Sequence, residues 1–231
     1  MNTTTMEGGA HSKSFDEYVE LFLQHLCASG YAVRTLGKKL RIALDQESAW
    51  RAKGIFVPVP VSVNISARLL DDESFPSRVM AMLQQFNLPV SCLTLELTET
   101  ALFAAPSLAL NSLRSLSESG LRISIDNFGS GYTSLKQLRD LEIAEIKIDG
   151  LYVKNITATG RDASIVRSIV ELGHGFNIQV IAECVELKET WDLLRKLGCN
   201  CAQGYSIAAP MSLHDYEQWI SQWSEGSKFR S

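Results

Sequence analysis

Six polar residues punctuate the apolar stretches of this chain: Asn64, Glu96, Asp126, Lys147, Glu183 and Gln203. Each stands at or near the end of a short run of aliphatic residues. Three carboxylates (Glu96, Asp126 and Glu183) and the amide oxygen of Asn64 make an all-oxygen set, of the kind preferred by hard divalent ions such as Mg²⁺ or Mn²⁺. Lys147 among these acids in a water-exposed cup suits phosphoester hydrolysis, where one or two metal ions bind the phosphate and lower the pKa of the attacking water. The lysine could help hold that water or neutralise phosphate charge, and Glu183 or a neighbour could serve as general base. The plainer alternative is a set of ion pairs that stabilises the mouth of the fold.

Such residues need elements that bring them together. Helical spacing places Phe15, Tyr18, Val19, Phe22 and Leu26 on one face of a helix over Phe15–Ala28, and a second helix is expected from Thr35 to Lys53, ending at Gly54. From Val59 the chain alternates. Strands are expected at Val59–Ile65, Leu93–Leu97, Arg122–Asp126, Glu145–Ile148, Gln179–Ala182 and Cys201–Gln203. Helices are expected at Phe75–Phe86, Pro106–Ser117, Leu135–Arg139, Ala163–Gly173, Lys188–Leu197 and Leu213–Trp223. The strands read as near-continuous apolar runs, which predicts a parallel sheet buried on both faces. Either a barrel or an open doubly wound sheet follows. No Gly-x-Gly-x-x-Gly follows the first strand, which disfavours the dinucleotide-binding version. Polar residues at six strand ends favour a (β/α) barrel, whose chemistry lies on the face where those ends converge. A closed barrel needs eight strands, whereas six are expected here and the chain before Val59 reads as helix.

Composition sets the remaining bounds. The chain has 231 residues, 45% hydrophobic and 21% charged, with a net charge of −4 and no basic stripe. These values predict a globular domain with a real core, no direct nucleic-acid binding and no membrane span. Residues 1–14 read as a disordered tail, 15–224 as the domain and 225–231 as a C-terminal tail. The polar N-terminus lacks the order of a signal peptide, so a cytoplasmic location is expected. The five cysteines (27, 92, 184, 199 and 201) are odd in number, and Cys199-x-Cys201 lacks zinc spacing, so structural roles are expected.

Six segments resemble, in order, the motifs of the EAL domain family: Ser62-Val-Asn-Ile-Ser-Ala-Arg68, Leu95-Glu-Leu-Thr-Glu-Thr100, Asp126-Asn-Phe-Gly-Ser-Gly-Tyr-Thr-Ser-Leu135, Lys147-Ile-Asp149, Ala182-Glu-Cys-Val-Glu186 and Gln203-Gly-Tyr205. Members of that family are bacterial phosphodiesterases that linearise cyclic di-GMP with Mg²⁺ or Mn²⁺. The resemblance implies a TIM-like barrel in which Asn64, Glu96 and Asp126 ligate one metal and Asn127 falls where an aspartate serves the other. It further implies that Lys147 stands beside the hydrolytic water and that Glu183 is the candidate base. Glu186 and Gln203 would complete the rim, Gln203 on the ligand side, and Glu99 would anchor the loop after Asp126. That loop is implied to couple substrate binding, metal binding and, often, dimerisation.

Departures from the pattern shape the functional expectation. The family's Glu-Ala-Leu segment would fall near residue 6, where Met6-Glu-Gly-Gly-Ala stands instead, so the first one or two strands are expected to be missing. Asn127 is a neutral amide, Cys184 replaces a usual glycine, and Ala209 stands where arginine is common. These changes predict reduced metal affinity and a degenerate phosphodiesterase that regulates gene expression or motility through a protein partner or a homodimer. An active or weakly active phosphodiesterase and a non-hydrolysing cyclic di-GMP sensor are the alternatives, with a non-functional truncated product as the bland one.

Overall fold

A computed structural model describes residues 33–55, 57, 59–131 and 135–225. The helix expected over Phe15–Ala28, the N-terminal tail and residues 226–231 lie outside the described residues. In chain order the elements are α1 (Val33–Ala52), β1 (Val61–Asn64), α2 (Ala67–Leu70), α3 (Phe75–Gln85), β2 (Leu93–Thr98), α4 (Glu99–Phe103), α5 (Ser107–Glu118) and β3 (Arg122–Phe128). They continue with α6 (Leu135–Asp140), β4 (Glu145–Ile148), α7 (Gly150–Val153), α8 (Arg161–Gly175), β5 (Gln179–Ala182), α9 (Lys188–Leu197), β6 (Cys201–Ala202) and α10 (Leu213–Glu225).

All five strand pairings are parallel, and the order β1-β2-β3-β4-β5-β6 follows the sequence without reversal. A doubly wound sheet reverses its strand order at a switch point, whereas a barrel wall does not. The architecture is therefore an α/β, TIM-like barrel wall of six strands. Among the described residues β1 and β6 pair on one side only, as expected of an incomplete barrel.

The strands are less uniformly apolar than expected, and the difference is what positions the site. Register partners in a parallel sheet point to the same face, and alternate residues to opposite faces. One face carries Val61, Val63, Leu93, Leu95, Leu97, Ile123, Ile125, Ile146, Ile148, Val180 and Ala182, all buried in the hydrophobic core with the helices. The other carries Ser62, Asn64, Thr94, Glu96, Arg122, Ser124, Asp126, Glu145, Lys147 and Gln179. Both faces are largely shielded from water, so β1 to β4 alternate apolar with polar within buried elements, whereas β5 places Ile181 on the second face beside Lys147.

Helices close over the apolar face. A Cβ on Gly173 of α8 would lie 2.3 Å from Val180 Cγ2, so a glycine is needed for α8 to approach β5 this closely. At the chain's end α10 docks on α1. Trp50 and Tyr216 pack with their rings tilted by 40° and centroids 5.1 Å apart, and Trp50 Nε1 donates to Glu217 Oε1 at 3.1 Å. Tyr216 and Ile220 are core residues, as the amphipathic reading of this helix expects.

Candidate functional site

Polar side chains of β2, β4 and the end of β5 meet at one point. Lys147 Nζ lies 3.1 Å from Glu96 Oε1 and 3.2 Å from Glu183 Oε1. Lys147 and Glu96 are both 0% exposed, while the Glu183 side chain is 13% exposed and lines the open side. Burying an ammonium at this depth requires opposite charge at hydrogen-bond distance, which the two carboxylates provide.

Asp126 joins the group from β3. Burial first, and then the negative charges of Glu183 and Glu96, push its pKa up to about 6 against the opposing pull of Lys147. Asn127 N donates to its Oδ1 at 2.9 Å. Asn64 is the register partner of Glu96 on β1 and is half-buried. Gln203 follows β6 and is buried. Its backbone joins the ends of β5 and β6, with Gln203 N donating to Ala182 O at 2.8 Å and Val185 N to Gln203 O at 2.9 Å. Glu186 is exposed on the segment after β5, and burial, followed by the charges of Glu183 and Glu186, raises the pKa of the Cys184 thiol. Glu96, Glu183 and Asp126 are thus gathered around Lys147, Asn64 stands beside Glu96 in the strand register, and Gln203 and Glu186 lie on neighbouring segments.

β3 runs two residues past its expected end at Asp126. The pairing with β4 slips between Ile125 and Phe128, and Asn127 takes a left-handed backbone, φ 54°. Asparagine tolerates that conformation better than most residues, so Asn127 suits the bulge that re-aims the strand end. The loop that follows is gripped from below. Gly129 N and Gly131 N both donate to Glu99 Oε2, at 2.9 and 2.8 Å. Glu99 is buried at the start of α4. A second grip had no sequence signal: Tyr152 of α7 donates its hydroxyl to Gly129 O at 2.8 Å.

One layer below the cluster, Arg122 Nε donates to Glu145 Oε1 at 3.0 Å, and Arg122 Nη2 reaches both Glu145 and Gln179. These residues sit at strand starts and read in the sequence as flanking polar positions.

The donor chemistry fits one hard cation. Glu96 Oε2 is buried with no hydrogen-bond partner, and the negative surroundings of Asp126 are a field that a cation relieves. Among the described residues no three His, Cys, Asp or Glu side chains form a preformed metal cluster, and the residue after Asp126 is the neutral Asn127. The cysteines follow expectation for the described four, which are free, with Cys92, Cys199 and Cys201 buried. No helix among the described residues is long and apolar enough to cross a membrane.

Residues 22–210 match the EAL domain family. Among curated relatives, the cyclic di-GMP phosphodiesterase PdeR of Escherichia coli is 38% identical over 178 residues, which cover 77% of this chain and 27% of the relative. The chain thus spans about a quarter of that relative's length. Among solved structures, the cyclic di-GMP complex of the PaMucR phosphodiesterase is 34% identical with a TM-score of 0.74, covering 80% of each chain. The Klebsiella pneumoniae BlrP1 complex with manganese and cyclic di-GMP is 25% identical with a TM-score of 0.66, covering 74% of this chain and 43% of that one.

Proposed function

Because the chain belongs to the EAL domain family, we propose that it works in bacterial cyclic di-GMP signalling as a degenerate phosphodiesterase. It takes the nucleotide at the C-terminal ends of its strands, and its hydrolysis is severely impaired. The observation that carries this reading is the Glu96–Lys147–Glu183 ion cluster with Asp126 beside it. This is the chemistry of a phosphoester site, set next to a neutral Asn127 where the family pattern has a carboxylate.

In this reading Asn64, Glu96 and Asp126 hold one Mg²⁺ or Mn²⁺. Such an ion supplies Lewis-acid polarisation of a phosphoryl oxygen and activation of water. Lys147 orients water and offsets phosphate charge, Glu183 accepts the proton, Glu186 completes the rim on the metal side, and Gln203 lines the ligand side. The protein-contact role rests on a separate feature. Phe103, Leu135, Leu151, Leu187 and Tyr205 are 53–73% exposed, one in each connection after β2, β3, β4, β5 and β6. Apolar groups around a polar mouth suit a protein partner or a second copy of this chain, and through it control of gene expression or motility. The domain unit is taken as 15–224, between two tails.

The retained Lys147 and Glu183 also favour a weakly active enzyme, and one experiment separates the two. Calorimetry and turnover are measured on the purified protein with cyclic di-GMP and Mn²⁺. Binding without measurable linear dinucleotide is expected, and Asn127→Asp should raise Mn²⁺ affinity about tenfold, consistent with an added charged ligand for a hard cation. Wild-type turnover equal to that of Asn127→Asp would show that hydrolysis is not impaired at this position.

A further inference from the structure

Four polar atoms inside the barrel have no hydrogen-bond partner although they are buried: Thr94 Oγ1, Glu96 Oε2, Ser124 Oγ and Glu145 Oε2. Their residues are 1%, 0%, 0% and 3% exposed. They are not scattered. Ser124 of β3 is the register partner of both Glu96 on β2 and Glu145 on β4, and Thr94 lies two residues before Glu96 on the same face. Neighbouring strands stand about 4.8 Å apart, so the four form one patch across three strands.

The two carboxylates are half-satisfied in the same way. Glu96 receives Lys147 on Oε1, and Glu145 receives Arg122 on Oε1, while each Oε2 is left over. A carboxylate oxygen can only accept, and a hydroxyl gives one proton at most. Neither Thr94 nor Ser124 is within bonding geometry of either Oε2. Leaving four such atoms dry would cost about 1–3 kcal/mol each, far more than fixing a water.

We propose that this layer is a built water site, and that Thr94 and Ser124 are positioning residues for Glu96 that act through it. Water bridges the hydroxyls to Glu96 Oε2 and Glu145 Oε2. The upper ion cluster (Lys147, Glu96) is thereby tied to the lower one (Arg122, Glu145). Glu96 Oε2 has two lone pairs, so one takes the bridging water and the other stays for a cation, and the hydroxyls hold the carboxylate in that orientation. The inference deepens the reading of Glu96 as a metal ligand and rests on it for its functional half.

Two measurements test it separately. A high-resolution crystal structure of the protein should show ordered water within hydrogen-bond distance of Ser124 Oγ and of Glu96 or Glu145 Oε2. A dry interior, or direct pairing of the four atoms with one another, overturns the proposal whatever the protein's function. Mn²⁺ titration of the intact chain reads the positioning role. Thr94→Val and Ser124→Ala should each weaken binding about tenfold, the scale of lost outer-shell partners, while Thr94→Ser and Ser124→Thr keep the hydroxyl and the affinity. Thermal melts of all four variants separate this from misfolding. Wild-type affinity in Thr94→Val and Ser124→Ala overturns the positioning role and leaves the metal reading intact. If wild-type protein binds no Mn²⁺, the metal reading fails and the positioning role with it, and the crystallographic waters alone decide the water site.

Discussion

Lys147→Met is the sharpest test of the ion cluster, because it removes one charge at nearly constant side-chain length. The ammonium sits 3.1 Å from Glu96 Oε1 and 3.2 Å from Glu183 Oε1. With an effective dielectric of about 20, each contact is worth roughly 5 kcal/mol before solvation is counted. Desolvation of the ammonium takes back several kcal/mol. The variant, however, recovers only the lysine's share of that term, and Glu96 stays fully buried with its charge uncompensated. Breaking a buried pair from one side typically costs about 3–5 kcal/mol, a large part of a domain's roughly 5–15 kcal/mol. Urea unfolding followed by the fluorescence of the four tryptophans should therefore show Lys147→Met folded but marginal. Adding Glu96→Gln should recover part of the loss, with a coupling of about 1–3 kcal/mol in the double-mutant cycle. A loss below about 1 kcal/mol in Lys147→Met, or additivity within about 0.5 kcal/mol, would mean that the cluster is not the tight, water-poor assembly described above.

Three further outcomes follow from neighbouring features. Asp126 ionises near pH 6 in the folded state and near 4 unfolded, so its contribution is fully present below pH 4 and lost as the pH rises through 6. In metal-free protein that loss is about 1–2 kcal/mol after screening at its partly open position; Asp126→Asn should be the more stable at pH 8, with the difference vanishing towards pH 4 in urea titrations. Glu99→Gln exchanges two charge-assisted bonds for neutral ones, about half as strong, so amide exchange at Gly129 and Gly131 should accelerate roughly tenfold, corresponding to about 1.4 kcal/mol; unchanged protection would mean that the loop is held elsewhere. Cys184 holds a left-handed backbone, φ 57°, and its Sγ lies 2.5 Å from where a Cβ on Gly150 would stand. Gly150→Ala should destabilise by about 1–3 kcal/mol in thermal or urea melts, and Cys184→Gly in the same chain should reverse most of it.

Much of this architecture is legible in the sequence because local signals agree with one another. β4, β5 and α9 occupy the expected residues, and Gly54, Gly120 and Gly198 stand at the expected helix ends with positive φ. Glu96, Asp126 and Lys147 stood out in the sequence because each interrupts an apolar run. What escaped has physical causes. The helices α2, α4 and α7 span four or five residues, too short to show a 3.6-residue period. The overrun of β3 depends on Asn127 taking a backbone that a β-strand pattern does not encode. The inner layer of Arg122, Glu145 and Gln179 forms only through strand register, and Tyr152 meets Gly129 across 23 positions of sequence. No window of neighbouring residues contains those meetings.

The alternation along β1 to β4 separates two kinds of inheritance. Residues on the outer face answer to the helices, and Leu95, Ile125, Ile146 and Val180 can keep their identities for packing alone. Residues on the inner face answer to whatever the mouth binds. A lineage can therefore rewrite one set without disturbing the other: a substitution at position 127 would alter the mouth while Phe128 beside it still packs in the core. A fold partitioned in this way can retire an activity and keep its shape, free to be recruited for another use.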